Sequence, residues 1–515
     1  MLVVLFVAVV RIRLLEIPLE RDEGEYAYAG QLMLQGIPPY QMAFNMKFPG
    51  TYGAYALIMA VFGQTIAGIH LGFMVVNAGT IVLIYLLGKR LFTTTAGVAA
   101  SAAYALLSVS AGVLGTQAHA THFVMVAALG GTLLLLRATD TGRSSMLLWS
   151  GLLFGVAVLM KQHGALFVVF GGANLMWDHW TRQRAGWLLL LRKLTLFFCG
   201  VAAPLALTGF ALWRTGVFEK FWFWTVTYAR EYVLQISFSD GIAVFRSVFP
   251  RVVGPNLAIW MVALAGFALI WWKDQEHPRA VFVTGFLVFS FLALCPGFYF
   301  REHYFVLILP AVALLAGAAV SSARRIWPGG SLLLSGLYGA ALVFSVVRQQ
   351  EFLFQMSPFE VSRSIYGENP FPEAVQVADY IRAHSAKDSR IAVLGSEPEI
   401  PFYADRHSAT GYIYMYGLME SQPYALTMQN ELIRDLETSR PDYVVFVTTS
   451  VSWLRRPTSP SRIFDWWAAY APQHYKAVGV ADIISANRTD YRWGDVGTYQ
   501  PQSTSVVVVF KRADF

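Results

Sequence analysis

Four carboxylates crowd six residues near the start of the chain, Glu20, Asp22, Glu23 and Glu25, and Lys47 follows in the segment Met46-Lys-Phe-Pro-Gly-Thr-Tyr52. An oriented carboxylate can take a proton from an acceptor hydroxyl. An ammonium suits a phosphate as a compact point charge. Two further cations lie at the ends of apolar runs. One is Lys161, followed by Gln162 and His163. The other is Arg301 in Arg301-Glu-His303-Tyr304, whose guanidinium can grip a phosphate with two hydrogen bonds, or pair with Glu302 or a first-loop carboxylate. His119 and His122 flank Thr121, and a spacing of three puts residues on one helix face. They would make a metal pair, but no further ligands stand near them and no metal is indicated. Each group also has a plainer reading. Asp22 with Glu25 fits a capping box, interfacial lysines snorkel to headgroups, and packing accounts for His303 and Tyr304.

The elements that would position these groups belong to a membrane. Of 515 residues only 14% are charged and 56% are hydrophobic, where a soluble domain carries roughly 25% charged residues. The net charge of +7 does not argue for nucleic acid, because the Lys and Arg sit at the ends of apolar runs. Cys199 and Cys295 offer no disulfide framework. Residues 1–15 read as a first span rather than a cleaved leader, since Arg11 and Arg13 follow the apolar run and no cleavage site appears. Further runs at about 66–88, 95–114, 120–136, 146–160, 164–177, 194–213, 256–272, 280–296, 304–320 and 330–347 bring the expected spans to about eleven.

If every run crosses, five basic clusters share one side: Lys89-Arg90, Arg137 with Arg143, Arg182 through Lys193, Lys273 with Arg279, and Arg324-Arg325. The positive-inside rule makes that side the cytoplasm. The first loop (16–65), the turn at Lys161, the 214–255 segment and the turn at Arg301 then share the outer face. Within the first loop, Glu23 to Gln35 reads as a helix stopped by Gly36 and the prolines, and Thr51 to Phe62 as a second helix. The aromatic Phe218–Tyr228 stretch reads as an interfacial helix. From about residue 351 the composition turns polar. A helix at 372–384 and strands at 390–395, 443–448 and 505–510 predict a small α/β domain over 351–515 beside a membrane module over 1–350. No repeat, Gly-rich phosphate loop or nucleophile elbow is present.

Asp22-Glu-Gly-Glu-Tyr-Ala27, Gly36 with Pro39-Tyr40, and Lys47-Phe-Pro-Gly with Tyr52 resemble the start of the GT-C glycosyltransferases. The likeness is to the branch of protein O-mannosyltransferases and lipid A aminoarabinose transferases. Lys161-Gln162, and Arg301-Glu-His-Tyr304 leading to Leu309-Pro310, are similar too. The resemblance implies transfer of a sugar from a polyprenyl-phosphate donor to a lipid, glycan or protein acceptor outside the cytoplasm of a bacterial inner membrane, by inversion and without a nucleotide sugar. It makes Asp22 the base and Glu23 a supporting acid. Lys47, Lys161 and Arg301 would hold the donor phosphate, with Tyr40, His303 and Tyr304 as further donor-binding positions. The chain departs from the pattern where many relatives place a second acid: Thr121 stands there, between His119 and His122. The competing classes are a transporter or flippase of a polyprenyl-linked lipid, which repeated halves and broken mid-membrane spans would favour, and a non-catalytic scaffold of the cell envelope.

Overall fold

The computed structural model describes residues 2–183, 186–272, 277–326 and 331–513. Arg184 and Lys273 of the basic clusters lie outside them. Every apolar run becomes helical: α1 (Leu2–Arg13), α4 (Ile66–Leu91), α5 (Thr94–Leu107), α6 (Ala120–Thr141), α7 (Ser145–Met160), α8 (Ala165–Asp178), α9 (Trp187–Arg214), α13 (Leu257–Trp271), α14 (His277–Leu292), α15 (Leu309–Ile326) and α16 (Ser331–Arg348). The first loop supplies α2 (Arg21–Leu34) and α3 (Pro49–Phe62). Among the described residues four runs are long and apolar enough to cross a membrane: Ile66–Leu91, Ala120–Thr141, Trp187–Arg214 and Phe238–Trp271.

The last of these corrects a boundary. α12 (Phe238–Val253) passes through one 3-10 turn (Gly254–Asn256) into α13, so the helical run begins inside the segment expected to lie at the outer interface. Pro255 does not break it, because it falls in the first turn after Gly254, where a missing N–H costs little. The aromatic stretch forms α10 (Phe218–Trp222), π-helical turns (Phe223–Tyr228) and α11 (Ala229–Val233). Its Trp224 and Tyr228 are buried under the C-terminal domain rather than exposed to lipid.

The helices close tightly where glycines face backbone. A Cβ on Gly151 of α7 would lie 2.0 Å from the Phe197 carbonyl oxygen of α9, and one on Gly200 2.2 Å from that of Leu148. Small residues that let backbones approach are the usual basis of helix association in lipid.

The C-terminal domain holds α17 (Pro358–Tyr366), α18 (Phe371–His384), α19 (Glu399–Ala404) and a six-stranded mixed sheet. Its strands are β1 (Arg390–Leu394), β2 (His407–Ser408), β3 (Tyr443–Val447), β4 (Tyr475–Ser485), β5 (Arg488–Trp493) and β6 (Val506–Arg512), in the order β2-β1-β3-β6-β4-β5. β1 runs parallel to β2 and β3, and the other pairs are antiparallel. One apolar core joins this domain to the first loop: Tyr26, Tyr28, Tyr40 and Tyr52 pack with Trp224, Tyr412, Leu418 and Leu432. The domain is therefore seated on the loop by buried aromatic surface, not tethered to it.

Overpacking a close helix contact costs about 1–3 kcal/mol in soluble cores. Gly151→Leu is expected to lower the thermal midpoint of the detergent-solubilised protein by several degrees, while a change at the open Gly336 leaves it in place.

Candidate active site

α2 begins because Glu20, in extended conformation, accepts the Glu23 N–H at 3.0 Å while the Glu23 carboxylate faces the Glu20 N–H. The capping box is thus Glu20–Glu23, two residues earlier than the Asp22–Glu25 box expected. Asp22 and Glu25 are freed to point elsewhere, and both meet one cation. Lys47 Nζ lies 2.6 Å from Asp22 Oδ1 and 2.8 Å from Glu25 Oε2. Glu25 also accepts from Asn45 Nδ2 at 2.6 Å and Tyr52 OH at 2.5 Å.

The loop carrying Lys47 is fixed from three sides. Tyr40 adopts a left-handed φ of 66° and donates its hydroxyl to the Lys47 carbonyl at 2.6 Å. Gln162 Nε2 donates to the Met46 carbonyl at 2.7 Å, and Thr51 Oγ1 to the Met160 carbonyl at 2.7 Å. The end of α7 is thereby stapled to the loop, which brings Lys161 beside Lys47. Lys161 Nζ sits 4.0 Å over the Tyr304 ring. Tyr304 belongs to the 3-10 turns Glu302–Leu307 that also carry His303.

These groups surround a cavity of about 430 Å³. Asp22, Lys47, Lys161, Arg301, His303, Tyr304 and His119 line it from the first loop and inter-helix turns, and Tyr414, Tyr416 and Glu420 line it from the C-terminal domain. Glu302 pairs with Arg251 at 3.1 Å, so of the alternatives for Arg301 the pair with Glu302 does not form. Among the described residues no carboxylate pairs with Arg301 or Lys161, which leaves both charges facing the cavity.

Burial opposes the charge on Asp22, but the Lys47 ammonium outweighs it and holds the carboxyl well below its usual range. Burial likewise opposes the charge on Lys47, and Asp22 and Glu25 overcome it. Glu25 goes the other way, with burial raising its carboxyl in spite of Lys47. Burial brings Lys161 down to about 7 and His119 down to about 4.

Several expected site residues stand behind the cavity rather than on it. Glu23 is fully buried. Its Oε1 accepts the Ala118 N–H at 2.6 Å and lies 3.2 Å from His70 Nε2. Tyr40 touches the backbone of Lys47, not the cavity. Thr121 donates to the His303 carbonyl at 2.9 Å, holding that turn in place. His119 is the residue before the first turn of α6, so it and His122 do not share a helix face. His122 packs on Phe73 at 4.7 Å, while His119 stacks on His303 at 4.2 Å. Asp22, His119 and His303 each bring one ligand atom within 4.8 Å of the others. A divalent cation there would share Asp22 with the Lys47 ammonium, which already supplies a positive charge.

Sequence reasoning read Glu25 as part of a capping box rather than as a partner of Lys47, and gave no role to Arg21, Tyr414 or Glu420. For Tyr414 the only signal was the alternation Tyr412-Ile-Tyr-Met-Tyr416. The placement of Glu23 separates it from Asp22 in a measurable way. Glu23→Ala leaves a buried N–H and imidazole unpaired, which costs about 1–3 kcal/mol. It is expected to lower the thermal midpoint clearly, whereas Asp22→Asn leaves it near wild type.

The model of the family described as dolichyl-phosphate-mannose-protein mannosyltransferase matches residues 49–202. The undecaprenyl phosphate-alpha-4-amino-4-deoxy-L-arabinose arabinosyl transferase of Pseudomonas aeruginosa is 25% identical over 371 residues, 68% of this chain and 63% of that protein. The match thus spans less than two thirds of the relative's length. The structure of ArnT from Cupriavidus metallidurans in the apo state superposes with a TM-score of 0.59 at 15% identity, covering 99% of this chain and 97% of that one. The same protein bound to undecaprenyl phosphate gives 0.57 at 15% identity, with 99% and 98% covered. The archaeal oligosaccharyltransferase AglB from Archaeoglobus fulgidus, in complex with an inhibitory peptide and a dolichol-phosphate, gives 0.52 at 11% identity over 99% of this chain and 76% of that one. With its first-loop helices, apolar helical module and C-terminal sheet domain, this chain has the GT-C fold that it shares with ArnT and AglB.

Proposed function

We propose that the protein is a glycosyltransferase that moves a sugar from a polyprenyl-phosphate donor to a hydroxyl-bearing lipid, glycan or protein. The observation that carries this reading is the cavity itself. In it the Asp22 carboxylate stands with the cationic side chains of Lys47, Lys161 and Arg301. A phosphate leaving group needs cations and an attacking hydroxyl needs a base. Support comes from relatives: the Pseudomonas aeruginosa transferase is named for undecaprenyl phosphate and 4-amino-4-deoxy-L-arabinose, and ArnT has been seen bound to undecaprenyl phosphate.

In this reaction the acceptor oxygen forms a bond to the sugar's anomeric carbon as the bond to the phosphate oxygen breaks, which inverts the configuration. Asp22 receives the hydroxyl proton. The bond electrons leave on the polyprenyl phosphate, whose added charge Lys47, Lys161 and Arg301 balance. Lys47 changes partner when the donor arrives: the phosphate draws its ammonium from Asp22 and so makes that carboxylate more basic. Glu23 shapes the first loop and takes no proton. By the charge parity of the loops, the module over 1–350 turns this site to the outside of a bacterial inner membrane, and the domain over 351–515 covers it.

The test is transfer from a panel of radiolabelled undecaprenyl-phosphate sugars into a membrane extract. Asp22→Asn is expected to lower transfer at least about 10²-fold with normal expression. Unchanged transfer in that variant would refute the assigned base, and no transfer from any donor by folded wild type would return the weight to lipid translocation.

The pH dependence follows from Lys161. Burial holds it near 7, so it is charged below that pH and neutral above. If its charge binds donor phosphate, kcat/KM for donor falls as pH rises through about 7, approaching tenfold per unit. Arginine stays protonated throughout, so Lys161→Arg is expected to remove this alkaline limb.

A further inference from the structure

The parallel strands β2, β1 and β3 present their carboxyl ends to the membrane module. In open α/β sheets the crevice beyond such ends is where ligands bind. Here a side chain from the first loop fills it. Arg21, 7% exposed, donates from Nε to the Ser396 carbonyl at 2.5 Å, from Nη1 to Tyr416 OH at 2.6 Å and from Nη2 to Asn369 Oδ1 at 2.9 Å, and Nη2 lies 3.3 Å from Glu397 Oε1. Ser452 Oγ donates to the other oxygen of Glu397 at 2.8 Å and accepts the Ser396 N–H at 2.8 Å, so the receptor for Arg21 is itself built. α2 fits this seat closely, because a Cβ on Gly24 would lie 2.7 Å from the Glu399 backbone nitrogen.

Asp22 is the next residue. From the same domain Tyr414 donates its hydroxyl to Asp22 Oδ1 at 3.4 Å, the oxygen that Lys47 also holds. Tyr414 stands edge-on to Tyr416 with centroids 4.8 Å apart, and Tyr416 hydrogen-bonds Arg21. The domain therefore grips α2 at Arg21 and reaches Asp22 through an adjacent ring.

We propose that Arg21 and Tyr414 are positioning residues through which the C-terminal domain sets the Asp22 carboxylate for reaction, Tyr414 keeping it aimed at the acceptor when the donor phosphate draws Lys47 away. This rests on the glycosyltransferase reading. It makes the domain a working part of the site rather than a cover.

Tyr414→Phe keeps the ring and every charge around Asp22 while removing one hydroxyl. In the full-length protein it is expected to lower kcat about tenfold, with donor KM and thermal midpoint unchanged. Arg21→Lys keeps the charge but loses the fork, and is expected to lower kcat at least as much. Arg21→Gln is expected to speed limited proteolysis near residues 351–358 at least severalfold, a readout independent of activity. Wild-type kcat in Tyr414→Phe overturns the proposal. If Asp22→Asn also keeps full activity, the function assigned to Asp22 has failed instead. If no variant or wild type transfers sugar, unchanged proteolysis of Arg21→Gln overturns the docking role by itself.

Discussion

The buried ammonium of Lys47 is the interaction on which the site depends. Asp22 and Glu25 would repel each other across a poorly solvated space if nothing lay between them, and one would hold a proton. Lys47 bridges them at 2.6 and 2.8 Å. A buried charge pair is costly unless its remaining valences are met. Here they are met by Asn45 and Tyr52 on Glu25. The loop geometry that delivers Lys47 follows from the same need. Tyr40 accepts a left-handed backbone to reach the Lys47 carbonyl, and Gln162 and Thr51 anchor the flanking chain to the turn after α7. Lys161 reaches the cavity as a consequence of that anchoring.

What the sequence disclosed and what it hid divide along the range of the interactions. Asp22, Lys47, Lys161 and Arg301 could be singled out because charges are rare in such a chain, and the structure gathers all four around one cavity. The expected cap was displaced by two residues because an acidic run offers several N-cap candidates at the right spacing. The choice of Glu20 came from outside the run, from His70, Ala118 and the seat of Arg21. Thr121 resembled a lost acid, yet it holds the His303 turn through a carbonyl 182 residues away in sequence. His119 and His122 looked like a pair only on the premise that the helix had already begun.

The sheet shows the same limit. β1, β3 and β6 are continuous apolar runs and could be read directly. β4 and β5 could not: the register of β4 shifts between Ala477 and Gly479, which interrupts the alternation, and β5 is polar on its open side. The seating of the sheet on the first loop was invisible for a different reason. It joins Arg21 to Ser396 and Glu397, over 370 residues apart, and neither end carries a local pattern that announces the other.

The charge arrangement also bears on how such a site would avoid wasteful chemistry. In the unliganded cavity the Asp22 carboxylate is held far below its ordinary range, so it is a weak base. A water molecule entering alone would meet a carboxylate already committed to Lys47. On the proposed reaction donor phosphate competes for that ammonium, and it would arrive where Lys161 and Arg301 face the cavity with no carboxylate partner among the described residues. Each step of withdrawal returns proton affinity to Asp22 while Tyr414 still holds the oxygen that Lys47 leaves. On the proposed reaction, base strength is therefore conferred by the donor, and the acceptor is activated only beside a sugar ready to receive it. In that proposed reaction the ammonium exchanges one anion for the other at the end of a four-carbon stem, and that exchange is what would couple the two halves of the site.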